Sequence, residues 1–519
     1  MTPSKLLSLT VALTLGAAVA SADSFTGPQS SQTPYVVPTA DGWEVTSLIT
    51  VGDSAKESPY VMVGIPDGMG AVAGKFAENG RYVADKAFMT VFLNHELGTT
   101  SGVERAHGTK GAFVSQWTVH LNSLQVKWGE DLIRRVLTWQ GGTFADTTGL
   151  AVFNRFCSGD LPPLTGFFNS TTGNGFDGLI YMNGEEAGAE GRAFAHVVTG
   201  DEKGTSYELP YLGKFSWENS VAHPNSGDRT LVVGLDDSSP GQVYLYVGDK
   251  QDNGNPVERA GLQNGRLYGV QVTDGGANYA GGTVPRENAG AINGAFTLHA
   301  FTRDEAAGTG AALQALSVAN GVTEFARPED GHWDTRNPNV FYWVTTGGSG
   351  QTARLYRFTF DSIQNPTGGT VELVVDAASL VGTDGATARS FDNLVVDADG
   401  NILIQEDPGG TSYIAKTWKI DPTKSLGQDG FAVQIFESDR ERFLLGGSSY
   451  LTQDEENSGV IEVTDIVRNA NWYEAGRRYY LGNTQAHYGI PGELVQGGQV
   501  YLMASPMAAM PAVQPRKGK

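Results

Sequence analysis

The chain has 519 residues, and 57 Asp and Glu against 36 Lys and Arg give it a formal net charge of −21. So acidic a chain repels nucleic-acid backbones instead of displacing their counterions, which argues against nucleic acid as a partner. One cysteine, Cys157, excludes an intramolecular disulfide framework, so stability must come from a buried core, which a chain of this length can build.

The first predicted element is a leader. Lys5 precedes an apolar run from Leu6 to Val19 and then Ala20-Ser21-Ala22, which predicts a cleavable Sec-type signal peptide over residues 1–22 and a secreted or periplasmic mature chain beginning near Asp23. The run is too short for a membrane anchor, and no later stretch approaches the roughly 20 apolar residues of a spanning helix. Residues 23–519 read as a single domain. Long amphipathic helices are scarce, with candidates at Asp131–Trp139 and Asp304–Ala319. Short β-branched and aromatic runs bounded by turn residues predict strands at Thr230–Gly234, Gln242–Val247, Arg266–Val272, Val340–Thr346, Arg354–Phe360 and Gly369–Val375. Leu394–Ile404 reads as a hairpin closed by Asp399-Gly400. The tail from Ala504 to Lys519 reads as a loose terminus. Many hairpins without alternating helices predict an all-β fold, and a closed propeller accommodates so many strands while leaving only short edges.

Acidic motifs punctuate these strands. They are Asn94-His95-Glu96, Asn183-Gly184-Glu185-Glu186, Trp217-Glu218-Asn219, Asp236-Asp237, Arg327-Pro328-Glu329-Asp330, Phe391-Asp392-Asn393, Gln405-Glu406-Asp407 and Gln453-Asp454-Glu455-Glu456. Most fall at strand ends. The steps from residue 329 to 392 and from 392 to 455 are equal, which suits successive blades, although no longer repeat accompanies them. Blades around an axis would bring carboxylates to a central mouth, where a hard cation with several oxygen ligands, calcium above all, is the natural counter-charge.

At these motifs the sequence resembles the PhoX family of secreted, metal-dependent alkaline phosphatases. The resemblance runs from Ile65-Pro-Asp-Gly-Met-Gly and Phe92-Leu-Asn-His-Glu, through Asn183-Gly-Glu-Glu, Leu212-Gly-Lys-Phe-Ser-Trp-Glu-Asn and Arg327-Pro-Glu-Asp-Gly, to Phe391-Asp-Asn. It implies a six-bladed β-propeller with insertions, an axial cluster of calcium and iron held by Glu and Asp, and a small phosphorylated substrate gripped by an arginine. Carried over residue by residue, Glu185 or Glu186, Glu218 and Glu329 match metal ligands and Arg327 the phosphate-binding arginine. Glu96, Asp236, Asp237, Asp392 and Asn393 join the metal set by local pattern. Oligomeric state is not implied.

Two departures qualify the resemblance. Gly184 stands where the phosphatases have an iron-ligating cysteine, and the leader lacks their twin-arginine pair. Both point toward a calcium-only site or a lost activity, so a catalytically silent calcium-binding propeller, serving as a surface or matrix interaction module, stands as the alternative. Cys157 reads as buried core filler, with replacement of the missing cysteine as the alternative if the fold brings it to the axis. His95 reads as a satisfied strand-end histidine, Glu455-Glu456 as solvated strand ends, and Asp397-Ala-Asp-Gly-Asn401 as a hairpin turn. His332-Trp333-Asp334 reads as a packed corner. No Gly-x-Ser-x-Gly, His-Glu-x-x-His or phosphate-loop motif occurs.

Overall fold

The computed structural model describes residues 23–77, 80–273, 286–287, 290–348 and 350–507. The expected leader, and the part of the tail beyond residue 507, lie outside the described residues. The described chain is mostly β, and its main strands fall into six antiparallel groups in chain order.

Group I starts with Pro66–Ala73 and continues through Phe88–His95, Phe113–His120 and Gln125–Asp131. Group II starts with Phe156–Asp160 and continues through Ile180–Glu185, Ala193–Val197 and Thr205–Glu208. Groups III and IV, starting with Trp217–Ala222 and Pro328–Trp333, are the two ends of one nine-stranded sheet joined through Gly294–Ala300. Group V starts with Phe391–Val396 and ends on Ala432–Ser438, against which Val36–Pro38 pairs. Group VI starts with Glu455–Glu456 and Val460–Glu462, continues through Tyr479–Ile490 and Val495–Ala504, and is completed by Glu44–Thr50 from the other end of the chain. Glu44 pairs with Ala504.

The first strands touch one another in a closed circuit, I to II to III to IV to V to VI and back to I. The approach is close where small residues permit it: a Cβ on Gly68 would stand 2.1 Å from the Gly159 nitrogen of the neighbouring group. Between the groups lie the apolar cores. Phe215 stacks on Trp217 and Tyr244, and Trp343 is enclosed by Phe325, Tyr356 and Phe358.

The strand readings fall on strands, and Asp304–Ala319 folds as two helices, Arg303–Ala306 and Gly310–Ala319, capped by Thr302 and Thr309. The expected helix at Asp131–Trp139 is corrected. Asp131 ends a strand and Arg135–Gln140 is another, turned by Gly141-Gly142, both left-handed, onto Thr143–Asp146. Two glycines in that conformation are a hairpin signal that outweighs a weak helical period. Asp397 accepts from the backbone nitrogens of Asp399 and Asn401, as a hairpin turn requires.

Because the contact at Gly68 is backbone against backbone, Gly68→Ala should destabilise the fold by about 1–3 kcal/mol. Chemical denaturation measures this, and an unchanged midpoint would mean that groups I and II can part freely.

Candidate metal and phosphate site

One local device recurs around the circuit. In groups I to V the first strand slips against the second, so that two residues face one: 67 and 68, 157 and 158, 218 and 219, 329 and 330, 392 and 393. These are β-bulges, which re-aim side chains. The first bulge residue is Asp67, Cys157, Glu218, Glu329 or Asp392, and at the matching place in group VI stands Glu456, one step beyond the Glu455–Ala486 pair. The residue just past the second-strand partner of the residue before each bulge is Glu96, Glu186, Asp237, Thr346 or Asp407, and in group VI, within the longer strand Tyr479–Ile490, His487.

These side chains converge. Asp67, Glu96 and Cys157 offer atoms within 4.8 Å of one another, as do Cys157, Glu186 and Glu218, and Glu218, Asp237 and Glu329. The three triads are linked through the shared Cys157 and Glu218. Burial, and then the charges of Glu218, Glu456, Asp67 and Asp407, push the Asp392 carboxyl well up, which ties the far side of the ring to the same field.

Several of these groups are pushed from their ordinary ionisation. Burial and Glu96 push Glu186 up to about 11, although Arg155 opposes them. Burial and Asp237 push Glu218 up to about 8 and Glu329 well up. Burial and Glu456 push Asp407 up to about 8. Burial and the charges of Asp67 and Glu218 push the Cys157 thiol well up. Two guanidinium groups lie among the carboxylates. Arg327 forks onto Asp237 through Nε and Nη2 at 2.7 and 2.9 Å and reaches Glu329 at 3.3 Å. Arg155 reaches Glu96 at 2.6 Å and also pairs with Glu186. At His487 burial works against charge, but Glu456 and Gln496 hold the imidazole protonated, with a pKa of about 10.

The residues fit cations. Asp67 Oδ1 is buried without a hydrogen-bond donor among the described residues, and such an oxygen needs either a proton or a metal, while Glu329 Oε1 faces the Arg327 guanidinium at 3.3 Å. Carboxylate oxygens suit calcium, and a thiol within the same cluster adds a softer donor suited to iron.

Of the residues singled out in the sequence, the ring gathers Glu96, Glu186, Glu218, Asp237, Glu329, Asp392 and Arg327. Glu185 and Asp236 are corrected. Each is the strand partner of the residue before a bulge, one place short of the ring. Glu185 is clamped by Arg192 through two contacts of 2.7 Å, and Asp236 accepts from Ser238. Asn393 is the second residue of its bulge and donates to Ser158 Oγ, which in turn donates to Glu218.

Cys157 is placed in the ring. It lies 3.4 Å from Asp67 Oδ2 and belongs to two of the triads. It is also cross-strand from Gly184, where a Cβ would stand 2.3 Å from Trp217 Cβ, so no side chain fits at 184. Glu455 is buried and donor-poor, and Glu456 joins the ring, so neither is a solvated strand end. His95 is satisfied by Ser115 and Gly64 and stacks on Phe113. His332 contacts the Trp333 carbonyl, and Asp334 caps the following turn.

The sequence reading leaves Asp67, Cys157, Asp407, Glu456, His487 and Arg155 out of its site set. A signal for most of them exists: Ile65-Pro-Asp-Gly, Arg155-Phe-Cys-Ser, Ser216-Trp-Glu-Asn, Arg327-Pro-Glu-Asp, Ser390-Phe-Asp-Asn and Asp454-Glu-Glu-Asn form a degenerate repeat with the ring residue third.

The fold and the ring define a class: a mostly β protein whose closed circuit of first strands carries acidic clusters able to hold cations. The family model of alkaline phosphatase PhoX matches residues 197–456, and the chain belongs to that family. The matched segment contains Glu218, Asp237, Arg327, Glu329, Asp392, Asp407 and Glu456. Among solved structures the chain is similar in fold to Pseudomonas fluorescens PhoX in complex with vanadate, a transition state analogue, at 13% identity over 92% of this chain and 97% of that one, with a TM-score of 0.54. Chaetomium thermophilum Sqt1 bound to the N-terminus of ribosomal protein L10 aligns over 89% of this chain and 99% of its own at 10% identity, with a TM-score of 0.35. No curated protein matches the chain.

Two outcomes are expected. Without metal, Glu218 and Asp407 hold protons in the fold that they release on unfolding, from 4.5 and 3.8 toward about 8. The native state then binds more protons than the unfolded one across that window, so stability is greatest below it and falls as pH rises through it. Thermal melts in chelator should decline from about pH 5 to about pH 9. Saturating calcium should flatten that decline and add about 3–4 kcal/mol. A melt indifferent to chelation would remove the cation reading. Cys157→Ser should lower bound iron more than bound calcium, read by elemental analysis; unchanged metal would restore the filler role.

Proposed function

We propose that the chain is a secreted, calcium-dependent phosphomonoester hydrolase of the alkaline phosphatase type, with iron joining calcium where Cys157 recruits it. In this reading the six strand groups are the blades of one six-bladed β-propeller spanning residues 23–519, exported by the signal peptide at residues 1–22. Among the described residues no helix is long and apolar enough to cross a membrane. The observation that carries the reading is the meeting of Arg327 with the carboxylate ring.

The chain's own residues divide the work. Asp67, Glu96, Glu186, Glu218, Asp237, Glu329 and Asp392 would hold the cations, with Cys157 as the thiol donor. Bound cations supply Lewis-acid polarisation of a phosphoryl oxygen and of the attacking oxygen. Asp237 and Glu329 hold Arg327 through Nε and Nη2, and its side chain stays 38% exposed over carboxylates that are nearly inaccessible. A guanidinium has five N–H donors, so its remaining edge can fork onto a phosphate. Left-handed backbone at Arg327, φ 58°, fixes where the side chain departs, and such strain concentrates at functional sites. The silent calcium-binding module loses its main ground, because the thiol missing at Gly184 is supplied from the adjacent strand.

The test is phosphomonoester hydrolysis at mildly alkaline pH after reconstitution with calcium, and with calcium plus iron. Arg327→Lys keeps the charge but loses the fork, and should weaken turnover about ten- to a hundredfold with bound metal retained. Glu329→Gln should lower metal occupancy first. A wild type inactive under both reconstitutions would hand the site to the binding-module reading.

A further inference from the structure

We infer that Arg155 is a second arginine that grips the phosphate of the substrate. The inference rests on the hydrolase reading above and adds a residue to it.

Arg155 and Arg327 occupy the same place in the repeat, immediately before the first strand of groups II and IV. Both have left-handed backbone, φ 45° and 58°, a conformation uncommon outside glycine. Each reaches the acid past the second strand of the preceding group and an acid of its own group: Arg155 meets Glu96 and Glu186, and Arg327 meets Asp237 and Glu329. Burial differs sharply within each set. The Arg155 side chain is 48% exposed while its two partners are 9% and 12% exposed. A counter-ion serving only to neutralise buried carboxylates would gain by being buried with them. This one keeps an open edge, as Arg327 does, and both of its ion pairs run through Nη2.

Their positions also converge. Group III lies between groups II and IV, and its Glu218 belongs both to the triad with Cys157 and Glu186 and to the triad with Asp237 and Glu329. One arginine pairs with an acid of each triad, so the two flank the place above Glu218 from either side. A phosphomonoester dianion presents three terminal oxygens, enough to accept from both guanidinium groups and still face the floor of the site.

The experiment measures binding of inorganic phosphate to metal-loaded protein by calorimetry, with metal content measured alongside. Arg155→Lys should weaken phosphate binding about tenfold and Arg155→Met more, with bound metal retained and KM for a phosphomonoester raised. Unchanged phosphate affinity in Arg155→Met, in a wild type that does hydrolyse phosphomonoesters, would overturn this inference alone. Loss of metal in both variants would make Arg155 a structural counter-ion and overturn it as well. A wild type that neither binds phosphate nor hydrolyses its esters would overturn the hydrolase reading and this one together.

Discussion

The structure depends on one electrostatic constraint: carboxylates from every strand group, buried at a shared axis, cannot all be charged without something positive among them. Asp67, Glu186, Glu218, Glu329, Asp392 and Asp407 are all held toward their protonated forms, and the described residues answer with the guanidinium groups of Arg155 and Arg327 and the imidazolium of His487. The remaining deficit is what makes the ring a receptor for cations. It also explains the strain at its rim. A left-handed residue before the first strand, at Ile65, Arg155, Arg327 and Ser390, sets up the bulge that turns the next acid or thiol inward.

The bulge is therefore the link between local backbone and function. In a regular strand, successive side chains alternate between faces, and the interior of a sheet would receive an apolar residue at these places. Slipping one residue presents a polar pair instead: the first member enters the charged ring, and the second members bond one another, Asn219 to Asp330 and Asn393 to Ser158, with Ser158 donating on to Glu218. The geometry of the ring is thus written into strand pairing and does not rely on long loops.

Much of this was legible in the sequence. The order of short acidic motifs carried the family, and the β-rich class followed from strand-length runs between turns. What could not be read was which of two adjacent acids faces the axis. Glu185 and Glu186, or Asp236 and Asp237, look alike in a sequence, and pairing register alone separates them. Cys157 could not be placed for the same reason: it is 27 positions before Gly184 in the chain but directly across the strand pair from it. The helix expected at Asp131–Trp139 failed because the decisive signal, Gly141-Gly142, lies just beyond the window that suggested it.

Group VI has a consequence for the order in which the molecule can become competent. Its sheet is assembled from both ends of the chain, with Glu44 beside Ala504, and it alone delivers Glu456 and His487 to the ring. A chain still emerging from a ribosome or a translocon can complete groups I to V, but its circuit stays open and its ring one sector short until the last strand arrives. Closure across so long a span is entropically slow. An ion met before that strand docks would encounter a broken crown.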